Sequence, residues 1–133
     1  MQKQINAVKE FHTAFKIGHS ENPIADLGES KKMLRYNLMK EENEEYLEAA
    51  QKNDLVEIAD ALGDMMYILC GTIIEHGLQH KIEEFFDEIQ RSNMSKLGED
   101  GQPIHREDGK VMKGPNYFKP DFSKIRSTVH SDR

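Results

Sequence analysis

Apolar residues recur along this chain three or four residues apart, the spacing of one face of an α-helix, in four separate stretches. Side chains that cap helix N-termini stand before the second and third stretches, at Ser30 and Asp54. Glycines suited to helix ends follow the first and third stretches. The pattern predicts an all-α fold whose helices cover residues 2–17, residues 30 to about 50, residues 55–76, and a stretch beginning near Gln79.

The third predicted helix is apolar nearly all round, and between Ile58 and Ile74 it contains no Lys, Arg or Glu. A helix of this kind is usually buried on most sides. We therefore expect Asp60 and Asp64 to lie inside the protein, where an unpaired carboxylate is costly. Since no basic residue on the same helix can pair with them, a divalent cation is the expected partner.

Two groups of acids flank the predicted turn at residues 51–54. One group follows the pattern Glu-Glu-x-x-Glu on the second helix, and the other follows Glu-x-x-Asp on the third. Residues three or four apart share a helix face, so an antiparallel hairpin would bring these carboxylates together. Two alternatives remain open: the acids form a solvated helix face, or Glu57 completes a capping box with Asp54.

The ligand type indicates which cation such a site would bind. Carboxylates without His or Cys suit hard ions, so we expect Mg²⁺, with Mn²⁺ as an alternative, rather than zinc. A carboxylate di-iron centre needs a Glu-x-x-His motif on two helices, and no His in this chain has a Glu three residues before it. The sequence therefore excludes a di-iron centre of that type.

The Glu-Glu-x-x-Glu and Glu-x-x-Asp motifs, preceded by Arg35-x-x-Leu38, resemble the signature of the all-α nucleoside triphosphate pyrophosphohydrolases. This superfamily includes MazG-like proteins, dimeric dUTPases and phosphoribosyl-ATP pyrophosphohydrolase. The resemblance covers roughly residues 5–97, and the tail beyond resembles only some MazG-like members. It implies a four-helix MazG-like bundle completed by homodimer or homotetramer formation. It also implies metal-dependent hydrolysis of a nucleoside triphosphate to the monophosphate and pyrophosphate, as in nucleotide-pool housecleaning.

The resemblance also assigns roles to individual residues. Glu41 would bind a second ion or orient the attacking water. Asp64 matches no signature position, and its expected burial instead suits a role in supporting the ligands. The helical phase of the fourth stretch places Asn93 and Lys96 on its inward face, where they would meet phosphates. Tyr117 and Lys119 of the tail are further candidates for phosphate contacts. The expected metal ligands are Glu42, Glu45, Glu57 and Asp60.

Residues 98–133 change character, and we expect them to form an arm or lid on a domain spanning residues 1–97. Asp108-Gly109 is a strong hairpin turn signal. The segment from Lys110 onward is basic and carries aromatic residues. Such a tail would fold over an anionic ligand, pack on a neighbouring subunit or stay partly disordered, and the sequence leaves these alternatives open.

The length of 133 residues predicts one domain. A net charge of −6 argues against nonspecific binding of nucleic acid. Cys70 lies in the apolar helix and is expected to serve packing, and a single cysteine is consistent with a reducing compartment. No signal peptide or membrane span is evident, so a soluble, cytoplasmic protein is expected. His12 is expected on a helix surface.

A function of a different class also fits the sequence: a noncatalytic helical oligomer that binds Mg²⁺ or nucleotide for structure or regulation. Glu41 favours the enzyme, because a structural metal site needs ligands alone, whereas hydrolysis needs a further group to handle water.

Overall fold

The computed structural model describes residues 1–123 and confirms an all-α fold. The chain divides into two compact units, one covering Met1–His80 and the other beginning at Lys81. Within the described residues the helices are α1 (Gln2–Ala14), α2 (Glu29–Gln51), α3 (Leu55–Glu75) and α4 (Ile82–Met94).

The first unit is organised around α3, which packs against both α1 and α2. Ile5 and Val8 of α1 are almost completely buried, as are Cys70 and Ile74 of α3. These side chains form the small apolar core of the unit. The packing role predicted for Cys70 is confirmed, and burial raises the pKa of its thiol.

The turn between α2 and α3 follows the predicted chemistry, with one informative difference. Asp54 caps α3, its carboxylate accepting a hydrogen bond of 3.2 Å from the Glu57 amide. The Asp54 amide, however, donates to the carbonyl oxygen of Ala49 at 3.1 Å. Because that amide already has a partner, it does not receive the Glu57 carboxylate as a capping box requires. The carboxylate of Glu57 is therefore left for another role.

The C-terminal end of α3 is closed by a glycine, as predicted. Gly77 has φ +68° and donates to the carbonyl oxygen of Ile74, while Leu78 donates to that of Ile73. These two bonds make a Schellman motif. A Cβ added at Gly77 would lie 2.0 Å from the carbonyl oxygen of Asn22, so the position has no room for a side chain.

Two predicted helix starts are wrong. Gly28, not Ser30, precedes α2, because the Asp26 carboxylate accepts a hydrogen bond from the Gly28 amide and ends the loop there. The fourth helix begins at Ile82 rather than near Gln79. Gln79 is buried, and its side chain donates to the carbonyl oxygen of Ser20. That contact fixes the residue outside the helix.

In the second unit, the tail folds onto α4. The Ser92 hydroxyl donates to the carbonyl oxygen of Phe118, and the Phe118 amide donates to the Ser95 hydroxyl. The predicted Asp-Gly turn forms, with Gly109 at φ +89° and a single antiparallel bridge between His105 and Val111. The part of the tail around Phe118 therefore packs on α4, while residues 124–133 lie outside the described part of the chain.

The buried face of α4 is not the predicted one. Ser92 is buried, whereas Asn93, expected on the inward face, is exposed. The tail covers the face that contains Ser92, and the Arg91 guanidinium lies 4.4 Å from the centre of the Phe118 ring. Packing by the tail, which helical periodicity does not report, decides which side of α4 is covered.

Two expectations about burial are also wrong. Asp60 and Asp64 are exposed, because α1 and α2 cover only two faces of α3. Apolar residues of α3 such as Leu62 and Leu69 are also exposed in the single chain. His12 is buried, and its Nδ1 lies 2.8 Å from the carbonyl oxygen of Gly18. Within residues 1–123, no helix is long and apolar enough to span a membrane.

Candidate metal centre

The antiparallel pairing of α2 and α3 brings three acids to one spot. Glu42, Glu45 and Asp64 each offer a carboxylate oxygen, and these oxygens all lie within 4.8 Å of one another. We call these three residues the acid cluster. Glu42 and Glu45 are three residues apart on α2 and therefore share a face, as the sequence predicted. The cluster forms because this face is turned toward Asp64 on the neighbouring helix.

Glu42 is the most strongly perturbed acid of the cluster. It is half-buried, and its Oε2 is buried without a hydrogen-bond partner. Burial is the largest of the effects that raise the pKa of Glu42 from its usual 4.5 to about 7. A hydrogen bond with Glu45 and repulsion from Asp64, Glu45 and Asp60 raise it further. Without a cation, the cluster therefore favours a proton on Glu42.

The donor set fits a hard divalent cation. All three ligand atoms are carboxylate oxygens, which Mg²⁺ and Mn²⁺ prefer. Two ligands of one octahedral Mg²⁺ lie at most about 4.2 Å apart, so small side-chain rotations bring the observed oxygens within coordination distance. The orphaned Oε2 of Glu42 supplies an independent sign of fit, since a cation would satisfy a buried oxygen that no protein group reaches.

A cavity of about 590 Å³ opens beside the acid cluster, at the hairpin end of α2 and α3. We call it the hairpin cavity. Glu57 and Asp60 line it together with Glu45, which belongs to both features. The predicted ligands Glu57 and Asp60 are thus placed next to the acid cluster rather than within the group of three. All three of these carboxylate residues are exposed to solvent.

The sequence did not predict Asp64 as a member of the acid cluster or Lys52 as a residue of the cavity wall. Asp64 was predicted to support the ligands, yet it supplies one of the three clustered oxygens. Its position one turn beyond Asp60 on α3 was the available signal. Lys52 lines the hairpin cavity and pairs with Glu48 at 3.0 Å. No periodicity separates such a lysine from other exposed ones. Glu41 is exposed on α2, directly before Glu42 in the sequence, and is not one of the three clustered acids.

The residues predicted to bind phosphate all lie in the second unit. Asn93 is exposed on α4, and Lys96 follows the helix, its carbonyl oxygen accepting a hydrogen bond from the Gly114 amide. Tyr117 is half-buried and Lys119 is exposed. Their roles toward a substrate stay predictions from sequence.

The raised pKa of Glu42 leads to an expected pH dependence of the metal-free protein. The folded protein holds this proton more tightly than the unfolded chain does, so this contribution to stability is present below pH 4.5 and is lost as pH rises toward about 7. We expect the variant Glu42→Gln to lose less stability than wild type as pH rises from 5 to 8, because it has no carboxyl group to titrate at this position. Thermal unfolding in EDTA between pH 5 and pH 8 measures it.

Glu44→Gln is the matched control, because Glu44 is exposed on the same helix and outside the acid cluster. The control variant should keep the wild-type pH dependence. An unchanged slope in Glu42→Gln would contradict the assignment of this proton to Glu42.

The chain is similar to a viral protein and to a solved structure. A stretch of 82 residues is 38% identical to the uncharacterized protein L479 of Acanthamoeba polyphaga mimivirus and covers 56% of this chain. The matched region spans 32% of that relative's length, so the chain corresponds to about a third of it. A crystal structure described as a putative NTP pyrophosphohydrolase from Exiguobacterium sp. 255-15 is 27% identical, with a TM-score of 0.47. That comparison covers 97% of this chain and 95% of the other.

The family comparison is the most informative, because it extends over well more than half of the chain. The sequence profile described as phosphoribosyl-ATP pyrophosphohydrolase matches residues 8–93. This range contains the acid cluster and every residue that lines the hairpin cavity. The chain therefore belongs to the phosphoribosyl-ATP pyrophosphohydrolase family.

Proposed function

We propose that this chain hydrolyses a ribo- or deoxynucleoside triphosphate to the monophosphate and pyrophosphate, with Mg²⁺ or Mn²⁺ as cofactor. The observation that carries the proposal is the acid cluster: Glu42, Glu45 and Asp64 meet on two adjacent helices in a member of a pyrophosphohydrolase family. The hairpin cavity beside the cluster, with a volume of about 590 Å³, would accommodate a polyphosphate. Removal of unwanted nucleotides from the cellular pool is the role we propose for this reaction.

Glu42, Glu45 and Asp64 would hold the cation, with Asp60 and Glu57 completing the set from the wall of the hairpin cavity. Bound there, the cation would offset charge on phosphate oxygens and lower the pKa of a water molecule. The proposed ligand set therefore includes all four acids expected from the sequence and adds Asp64.

Hydrolysis also requires groups that orient the attacking water and accept its proton. Glu41 is exposed and precedes Glu42 on α2, and from the family motif we assign it the role of orienting the attacking water or binding a second ion. In hydrolysis, a bond forms between the water oxygen and the α-phosphorus, and the bond from that phosphorus to the α,β-bridging oxygen breaks. Pyrophosphate leaves with the bridging oxygen, and a nearby carboxylate accepts the proton of the water.

Asn93, Lys96, Tyr117 and Lys119 are retained as proposed phosphate contacts. We expect Lys119→Ala to raise KM severalfold with little change in kcat, because a contact made equally in the ground and transition states affects binding alone. Lys110→Ala is the control, since Lys110 is an exposed tail lysine in the hairpin turn. Equal KM values for both variants and wild type would contradict the role of Lys119.

We also propose that the protein assembles as a homodimer or homotetramer. Leu55 and Val56 at the start of α3 are each 77% exposed, and Leu47 on α2 is 55% exposed. Apolar side chains in this number on adjacent turns are typical of surfaces that another subunit covers. Light scattering of the purified protein would measure the assembly, and a monomer at micromolar concentration would contradict it.

Product analysis tests the proposed function. Purified protein is incubated with a panel of ribo- and deoxynucleoside triphosphates in Mg²⁺, and the phosphorus products are separated. We expect a monophosphate and pyrophosphate in equal amounts from at least one nucleotide. Orthophosphate with a nucleoside diphosphate would overturn the assigned reaction, and absence of turnover with the whole panel would favour a noncatalytic binding protein.

A further inference from the structure

A group of buried and half-buried polar side chains joins α2 to α3 on the side of the acid cluster away from the hairpin turn. The Arg35 guanidinium donates through Nε to the Thr72 hydroxyl at 3.1 Å and through Nη2 to the carbonyl oxygen of Ile68 at 2.9 Å. Arg35 Nε also lies 3.1 Å from Glu75 Oε2, and Lys31 donates to Glu75 Oε1 at 2.7 Å. We call Lys31, Arg35, Thr72 and Glu75 the polar lock.

Because of burial, the charged groups of the polar lock need closely placed partners. The side chains of Arg35 and Glu75 are 8% and 3% exposed, so each charge depends on partners inside the protein. Gly71 provides the space for them: an added Cβ would lie 2.6 Å from Arg35 Nη2 and 2.9 Å from His12 Nε2. The guanidinium therefore fits against α3 at one place, where glycine leaves room. Two oxygens accept its hydrogen bonds there, and the Glu75 carboxylate pairs with its charge.

The polar lock and the acid cluster follow one helix register. Lys31 lies opposite Glu75, and Arg35 contacts Thr72. Seven residues further along α2, Glu42 meets Asp64, which precedes Thr72 by eight residues on the antiparallel α3. Both intervals are about two helical turns. A slip of α2 by one turn, about 5.4 Å, would therefore separate Glu42 from Asp64 as well as Arg35 from its acceptors.

We infer that Arg35 is a positioning residue for the metal centre: its fixed contacts with Ile68, Thr72 and Glu75 set the register that brings Glu42 and Glu45 to Asp64. The guanidinium does not contact the acids of the cluster and acts through the helices. The inference rests on the proposed function only in taking the acid cluster as the metal site.

The first test compares metal affinity in two destabilised variants. Arg35→Met retains much of the side-chain volume but removes the charge and every hydrogen bond, whereas Val8→Ala weakens the core contact between α1 and α3. We expect Arg35→Met to weaken Mg²⁺ binding at least tenfold in calorimetric titration. Val8→Ala, at a temperature where both variants are folded by circular dichroism, should bind Mg²⁺ like wild type.

The second test reads the register without metal. Spin labels are attached at the exposed positions Asn37 of α2 and Ala59 of α3 in a Cys70→Ala background, and electron paramagnetic resonance gives their distance. Dilution with unlabelled protein removes distances between subunits. In EDTA, Arg35→Met should shift the distance by several ångströms or broaden its distribution, whereas Val8→Ala should leave it unchanged.

The outcomes separate this inference from the proposed function. Wild-type protein that binds no Mg²⁺ would refute the proposed function, while the spin-label distance would still decide the role of Arg35. Unchanged distances in Arg35→Met, or a loss of Mg²⁺ affinity equal to that of Val8→Ala, would overturn the inference. If Arg35→Met does not fold, Arg35→Lys decides, since it keeps the charge but loses the fork of donors and should give a smaller shift in the same direction.

Discussion

Replacing Glu45 by Gln is expected to reduce kcat/KM at least about a thousandfold while leaving the fold intact, as judged by circular dichroism. Glu45 belongs to the acid cluster and also lines the hairpin cavity, so its loss affects both the cation and the approach of substrate. Charge stabilisation by a bound cation contributes several kcal/mol, which corresponds to a loss of this size. The metal-free variant should be no less stable, because one of several mutually repelling charges is removed.

Glu48→Gln is the matched control. Glu48 lies three residues further along α2 and lines the same cavity, but its carboxylate pairs with Lys52 rather than with the acid cluster. The control variant should retain turnover within a few-fold of wild type. Equal losses in both variants would mean that general negative charge in the cavity, not the acid cluster, supports activity.

Binding of Mg²⁺ is expected to raise the unfolding temperature by several degrees. A ligand that binds only the native state stabilises it by about 2.7 kcal/mol when present at a hundred times its Kd. Differential scanning calorimetry over a range of Mg²⁺ concentrations, with EDTA as the reference, measures the shift. The effect should grow with concentration, and removal of the cation with EDTA should abolish turnover.

Glu45→Gln and Asp64→Asn should each lose most of this thermal shift, whereas Glu44→Gln, exposed on the same helix and outside the acid cluster, should keep it. No shift in the wild-type protein at millimolar Mg²⁺, with or without nucleotide, would indicate that these acids form a solvated helix face.

The sequence predicted the helices well because their signals are local. Asp54 and Gly77 mark the ends of α3 through contacts with residues three to five positions away, which short motifs report. The pairing of α2 with α3 was also predictable, since a short turn leaves an antiparallel hairpin as the natural arrangement. Glu42 and Glu45 were placed on the correct face by helical spacing alone.

The errors concern contacts between residues distant in sequence. His12 was expected on the surface because no residue of α1 indicates that Gly71 of α3 leaves room for the imidazole. Asp60 and Asp64 were expected inside because α3 is apolar on nearly every side, yet in the single chain much of that surface is exposed. Apolar composition indicates that a surface will be covered, but not whether the same chain or another copy covers it.

The contacts of Arg35 also could not be predicted from local sequence patterns. The sequence placed it in the lead-in to the acids, but its partners Thr72 and Glu75 lie more than thirty residues away. Only the packed helices show that this arginine and the acid cluster follow one register.

Hydrolysis in water enriched with ¹⁸O tests the central claim most directly, because it reports which phosphorus atom is attacked. Attack at the α-phosphorus transfers the water oxygen to the nucleoside monophosphate, and pyrophosphate leaves with the original bridging oxygen. Mass spectrometry should therefore find one ¹⁸O atom in the monophosphate and none in pyrophosphate. Label in pyrophosphate or orthophosphate would place the attack at an outer phosphorus and contradict a pyrophosphohydrolase reaction at the acid cluster.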